Sequence, residues 1–419
     1  MNLTAEEQAW LAGDAGSATR RAMEIVVALG NIYGAERLLP VESVQISGVS
    51  YRNIGAAGLD FLRRWADEGA QVHVPTTLNP TAMDLQDWQT QGISPDFAAK
   101  QQAVVDAFAH MGVGRGAPAS GRIPIPTCTP YLIGNRPQWR AGQPPVHIAW
   151  AESSAVAFAN AVLGARTNRE GGPGALAAAI TGKTGAYGLH LDQNRRPTLR
   201  VTVKAHPRTP SDYSALGAWV GQTIGRGVPY FENLPLVRGD SLWEECLKAL
   251  GAAMAATGAV GLYHVAGVTP EADLPTVSSP PADLPALVVD DLAPGYALLD
   301  TPDAPVELVW IGCPHASPAE IAQVTEAVRG KRLTLPLWIT CARPVKEAAI
   351  ALGHAGTLHD AGAHLFADAC LAIAPVRDMG FRVIATPSAK GAYYLRNLAN
   401  VTARFLPLEA CIDMALKTI

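Results

Sequence analysis

Three cysteines stand in proline-marked, loop-like contexts far apart in the chain: Cys128 in Thr127-Cys128-Thr129-Pro130, Cys313 in Gly312-Cys313-Pro314-His315, and Cys370 in Asp368-Ala369-Cys370, with Pro375 just beyond. No two are paired as Cys-x2-Cys, which excludes a small zinc ribbon or finger. Only a folded core could bring such thiols together. Three thiolates holding an iron cluster would leave one iron open to act as a Lewis acid. The plainer alternative is buried apolar packing, and the spacing leaves both readings open. Cys246, Cys341 and Cys411 lie in a helical segment, at the end of a buried strand and in a C-terminal helix, and read as packing residues.

Four other clusters carry polar groups that could do chemistry. Glu152 and Ser153 form a polar knot entering an apolar helix; Glu152 suits general acid–base work, while a helix cap accounts equally for Ser153 or Ser154. The turn from Arg166 to Pro173 carries two guanidinium groups, an amide and a carboxylate, a set suited to gripping a carboxylate or phosphate or to a plain charged surface turn. Gly48-Val49-Ser50 and Thr76-Thr77-Leu78-Asn79-Pro80 are turns whose backbone N–H groups could hold an anion. Lys390, in Ser388-Ala389-Lys390, is one of only eight lysines; it could pair with an anion or be an ordinary solvated lysine.

The elements that must position these groups read as α/β. A helical stretch runs from Thr4 to about Gly34, with Thr4 and Glu7 as a capping box. Val41–Ile46 and Gln71–Val74 are β-branched runs followed by turn residues, the strand–loop–helix rhythm of α/β architecture. A smaller lobe is expected from about Thr198 to Pro305. The rhythm then resumes with strands at Leu308–Ile311, Leu335–Thr340, Leu371–Ala374 and Val383–Ala385 and a helix over Pro318–Val328. Residues 112–145, rich in Gly, Pro and Arg, form a long irregular excursion around Cys128 and are a candidate lid or interface.

Composition bounds the rest. The 419 residues are 48% hydrophobic, enough for more than one lobe. The net charge of −4, with no basic stripe, argues against nucleic acid as a partner. No basic, apolar leader is visible, and no apolar run reaches the roughly 20 residues that a membrane helix needs, so a cytoplasmic location is expected. Six cysteines without dense spacing do not form a secreted disulfide framework. Eight lysines against 25 arginines suggest a GC-rich, mesophilic bacterial source.

Taken together, Ile32–Val41, Val44–Tyr51, Thr127–Leu132, Gly164–Pro173 and Gly312-Cys313-Pro314-His315 resemble, in order, the catalytic large subunit of the aconitase X family, from about residue 20 to the C-terminus. The resemblance implies an aconitase-like core of several α/β lobes around a buried iron–sulfur site, with approximate lobes 1–197, 198–305 and 306–419. It implies a cluster on Cys128, Cys313 and Cys370, its nuclearity open. Substrate contacts are implied at Gly48, Val49, Ser50, Asn79, Pro80, Glu152, Ser153 and Lys390, with Glu152, Ser153 and Lys390 as catalytic candidates. The 112–145 excursion looks longer than in compact family members, and Cys341 is an extra thiol near the site. No swivelling small domain is visible, which implies a separate small subunit and a heterodimer.

Two activities are associated with the family: dehydration of cis-3-hydroxy-L-proline to 1-pyrroline-2-carboxylate, and dehydration of mevalonate 5-phosphate to trans-anhydromevalonate 5-phosphate. Both remove water beside a carboxylate. The Arg- and Ala-rich bacterial composition favours the hydroxyproline reaction; the phosphorylated substrate would need a cradle, which residues 166–183 could supply. Cluster iron is expected to bind the substrate carboxylate, hydroxyl or both. Glu152 would assist proton transfer, and a serine of the partner would be the base. A third reading is an iron–sulfur protein that kept the fold without the activity.

Overall fold

A computed structural model describes residues 1–114, 124–278, 281 and 283–416. Three parallel sheets carry the architecture. The first joins β2 (Val44–Ile46) to β3 (Thr76–Leu78) and β4 (Ala149–Trp150), beside an antiparallel pair formed by β1 (Leu38–Pro40) and β5 (Lys183–Gly185). The second, in the order β8-β7-β6-β9, consists of β6 (Leu199–Val203), β7 (Pro229–Phe231), β8 (His264–Val265) and β9 (Ala286–Val289). The third, in the order β12-β11-β10-β13-β14, consists of β10 (Leu308–Ile311), β11 (Leu337–Cys341), β12 (Ala363–Ala367), β13 (Val383–Thr386) and β14 (Thr402–Phe405). The central strands are apolar and buried along their whole length, as expected when helices cover both faces of a parallel sheet.

Several expectations shift. The N-terminal stretch is two helices, Ala5–Ala12 and Ser17–Ile32, because Gly13 and Gly16 both take positive φ between them. The Thr4–Glu7 capping box is present. Gln71–Val74 is not a strand: Val72 and His73 donate to the helix-end carbonyls of Met111 and Ala179, and the pairing with β2 starts only at Thr76. Leu371–Ala374 forms turns, with the Ile373 and Ala374 amides bonded back to Cys370; the strand lies earlier, at Ala363–Ala367. Pro318–Val328 is a helix, with Ser317 and Glu320 as its capping box.

The helix that follows β4, Ser153–Phe158, runs into a π-helical turn over Ala159–Leu163 and ends at Gly164 in the left-handed region. Its apolar side chains share one core with β6, β7 and the helices Pro210–Ile224 and Trp243–Gly258. It therefore joins the first sheet to the second. Of the 112–145 excursion, residues 115–123 lie outside the described residues; the rest includes a single 3-10 turn at Pro130–Leu132. Among the described residues, no helix is long and apolar enough to cross a membrane.

Candidate active site

The loops that leave the strand ends of the first and third sheets face one another across a cavity. Its lining includes Gly48, Val49, Ser50, Asn79, Pro80, Cys128, Glu152, Cys313, Cys370 and Lys390. Ligands collect beyond the carboxyl ends of strands in this way in open α/β sheets. Of the residues singled out from sequence, Ser153 is not in that lining; it borders an adjoining cavity and donates from Oγ to Glu152 at 3.2 Å.

Each thiol is carried by a loop anchored to a sheet. Cys128 is held through Thr127, whose N–H donates to Leu78 O at 2.8 Å and whose carbonyl accepts from Gln45 Nε2 at 2.8 Å. Cys313 follows β10 through Gly312, where a Cβ would stand 2.1 Å from Thr340 O, so no other residue fits there. Cys370 follows β12, and its N–H donates to Thr81 O at 2.9 Å while Thr81 N–H donates to Asp368 O at 2.8 Å. That reciprocal pair clips the Asn79-Pro80 loop to the Cys370 loop.

Burial pushes the Cys128 thiol up to about 12 and Cys370 up to about 11, and Cys313 well above its ordinary value; the Lys390 ammonium partly offsets this in all three. Each of the three is a free thiol. Among the described residues, no three His, Cys, Asp or Glu side chains stand close enough to hold a single metal ion. A cluster spans more space than one ion, and the donor set of three converging thiols suits it.

Opposite the thiols, Glu152 and Lys390 form a buried ion pair. Lys390 also donates to Ser154 Oγ at 2.9 Å, and Asn79 Nδ2 donates to Glu152 Oε2 at 3.2 Å. Burial alone would raise the Glu152 carboxyl, but the Lys390 charge and hydrogen bond outweigh it and hold the group at about 2. Burial would likewise lower Lys390; the Glu152 carboxylate keeps its ammonium well above the ordinary lysine value. Lys390 is thus not a solvated lysine. The helix cap is Glu152 itself, which accepts from Ser154 N–H at 3.3 Å, rather than either serine.

Two polar groups in the cavity are left with bonding capacity. Ser50 Oγ and Asn79 Oδ1 are buried without a hydrogen-bond partner, a costly condition unless a ligand supplies one. Arg169 lines the cavity. Its neighbours in the same turn are spoken for: Arg166 pairs with Asp192 and donates to His190 O, and Asn168 Oδ1 accepts from Leu189 N–H. Lys183, further along, pairs with Glu7. Gly172 lets this turn approach the first sheet, since a Cβ there would meet Ser47 O at 2.8 Å.

Two site-building residues escaped the sequence reading. Gln45, fully buried in β2, donates to Thr127 O and accepts from Glu152 N–H at 3.3 Å, so one amide positions both a thiol loop and the carboxylate. Its signal was a lone amide inside the apolar strand Val44-Gln45-Ile46. His315 was legible only as part of a motif.

Three thiols and a carboxylate–ammonium pair lining one cavity, at the strand ends of parallel sheets, describe an enzyme-type site of the α/β class. Models of the aconitase X first, second and third domains match residues 1–193, 197–291 and 306–417. The chain belongs to the aconitase X family. It is 46% identical to the phosphomevalonate dehydratase large subunit of Thermococcus kodakarensis over 95% of both chains. It is 36% identical to the cis-3-hydroxy-L-proline dehydratase of Pseudomonas aeruginosa, matching 99% of this chain and 70% of that one. The crystal structure of Thermococcus kodakaraensis aconitase X in its holo-form superposes with a TM-score of 0.87 at 44% identity, covering 99% of this chain and all of that one. The first two of these relatives are named as dehydratases, that is, hydro-lyases.

Proposed function

We propose that this chain is the large subunit of a dehydratase that removes water from a small anionic hydroxy acid. A cluster on Cys128, Cys313 and Cys370 would be its cofactor, and a separate small subunit its partner. The observation that carries the reading is the convergence of those thiols with Glu152, Lys390, Arg169 and the unpartnered Ser50 Oγ and Asn79 Oδ1 around one cavity.

A bound cluster would supply an iron to polarise a substrate oxygen. The chain's own residues do the rest. Arg169 and Lys390 attract the substrate's anionic groups, and Ser50 Oγ and Asn79 Oδ1 complete its hydrogen bonding. Glu152, whose carboxyl Lys390 holds below its ordinary range, keeps Lys390 charged and in place. The proton next to the substrate carboxylate would be taken by a serine on the small subunit, as the family resemblance implies. The equal-length relatives named as large subunits point to such a partner, as does the longer Pseudomonas chain.

Two substrates stand for the family. Relatives named for phosphomevalonate, at up to 46% identity and of matching length, favour mevalonate 5-phosphate. The cavity's charge agrees: its lining carries two cations and one carboxylate already engaged, so a phosphate is welcome, whereas the amine of cis-3-hydroxy-L-proline would compete with Lys390 for Glu152. The hydroxyproline reading rests on the 36% relative, which matches nearly the whole chain, and on the bacterial composition. Anaerobic co-expression with the small subunit, followed by assays on both compounds and an iron determination, tests the reading. Dehydration of either supports it, and the preferred compound identifies the substrate; iron-loaded heterodimer inert to both overturns it.

A further inference from the structure

His315 makes contacts that neither the thiols nor the ion pair explain. Its backbone N–H donates to Cys128 Sγ at 3.1 Å. Its ring Nε2 lies 2.8 Å from Ala369 O, next to Cys370, and its Nδ1 lies 3.1 Å from Thr127 Oγ1, next to Cys128. His315 itself stands two residues beyond Cys313, after the cis peptide Cys313–Pro314. One buried residue thus joins the loops of all three thiols.

The carbonyl of His315 extends the junction, accepting from the buried Lys248 Nζ at 3.3 Å. Lys248 lies within the span matched by the second-domain model, Thr127 within the first and His315 within the third. Lys248 is in turn paired with Glu320, whose carboxylate also accepts from Ser317 N–H at 2.8 Å.

The ring's bonding is fully determined. A carbonyl oxygen can only accept, so Nε2 carries the proton and donates to Ala369 O. Nδ1 of the neutral ring then accepts from Thr127 Oγ1–H. Thr127 Oγ1 in turn accepts from Thr129 N–H at 3.0 Å and from Thr129 Oγ1–H at 3.1 Å. Thr127, Thr129 and the His315 ring are all buried and partnered.

We propose that His315 is a positioning residue that sets the mutual register of the three thiol loops and directs an N–H···S hydrogen bond at Cys128, so that the chain retains its cluster. Outer hydrogen bonds of this kind orient ligands and tune iron–sulfur sites, and losing them costs about 10–100-fold in metal affinity or activity. This rests on the three-thiol cluster reading of the previous section.

The test compares wild type, His315→Phe, His315→Gln and Thr127→Val heterodimers purified anaerobically. Iron per chain, visible absorbance, the rate of iron loss to a chelator and far-UV circular dichroism are measured. His315→Phe should lose iron about 10–100-fold faster and alter the cluster spectrum with the circular dichroism unchanged. Thr127→Val, which removes one end of the chain and keeps the ring, gives a smaller change of the same kind. Gln can still donate to Ala369 O, so His315→Gln should restore part of the retention. Should His315→Phe fail to fold, Thr127→Val alone decides. Wild-type retention and spectra in the folded variants overturn the role of His315, whereas a wild-type protein that binds no iron under these conditions overturns the cluster reading itself.

Discussion

Two charged seams join the residues matched by the first-domain model to those matched by the third, and they are built in opposite ways. At one, Asp84 is wholly buried; its carboxylate accepts from Arg343, Lys346 and the N–H groups of Ala367, Gln86 and Asp87. Arg343 also holds Asp368, and Lys346 also holds Asp87. Burial would raise Asp84, but Arg343 and Lys346 overcome it and keep the carboxyl below its ordinary range. At the other seam, Glu152 and Lys390 are just as tightly paired, yet Asn79 Oδ1 and Ser50 Oγ beside them keep unused capacity, and Arg169 lines the same cavity. The first cluster leaves Asp368 Oδ1 over and spends its other charged groups on one another; the second leaves acceptors beside residues that line a cavity, the arrangement of a site awaiting a ligand.

Substitutions can break that contrast. Glu152→Gln keeps the shape and releases Lys390 from its counter-charge, and kcat should fall about 100-fold, as when a positioning partner is lost. The same pair gives a pH signature. Because the Glu152 carboxyl sits near 2 in the folded chain against 4.5 ordinarily, its stabilising effect is complete above about pH 4.5 and fades as the pH drops toward 2. Melting curves of wild type and Glu152→Gln should therefore converge across that window and stay apart above it; parallel curves throughout would contradict the assignment.

Asp84→Asn strikes the first seam and should cost about 3 kcal/mol in urea unfolding, since it removes a buried carboxylate that two cations share and leaves Arg343 and Lys346 only Asp368 and Asp87 as counter-charges, while kcat of the folded fraction stays close to wild type. Arg169→Leu should raise KM for mevalonate 5-phosphate about 10–100-fold, the worth of about 1.5–3 kcal/mol for a charged hydrogen bond. Kinetics on the purified heterodimer would show whether kcat moves instead, which would place Arg169 in the chemical step. The smallest effect belongs to Cys341→Ser. Cys341 is fully buried at the end of β11, its Sγ near Phe366 O at 3.7 Å, so the change should cost about 1 kcal/mol and leave iron content unaltered. Loss of iron there would move the cluster assignment to Cys341.

Much of this was legible from residues alone. The turns Gly48-Val49-Ser50 and Asn79-Pro80 could be picked out because short polar side chains after β-branched runs mark strand ends. The helix Pro318–Val328 was legible too, and the structure caps it with Ser317 and Glu320. Gln71–Val74 and Leu371–Ala374 misled because a short apolar run looks the same whether it pairs in a sheet or packs in a turn. Lys390 and Arg166 were equally ambiguous: a lone lysine and a turn arginine carry no mark of whether they face a buried carboxylate, as Lys390 does, or an aspartate at the surface, as Arg166 does.

The residue types and their local turns determined the chemistry on offer: three thiols outside any zinc-finger spacing, one carboxylate entering a helix and an α/β alternation to carry them. Tertiary structure alone decided which of these meet. The pairing of Thr81 with Ala369, the reach of Gln45 from Thr127 to Glu152, and the junction of His315 with Thr127 and Ala369 all link residues far apart in the chain. Local propensity and hydrophobic period act over a few residues, whereas these contacts are set by how whole sheets pack.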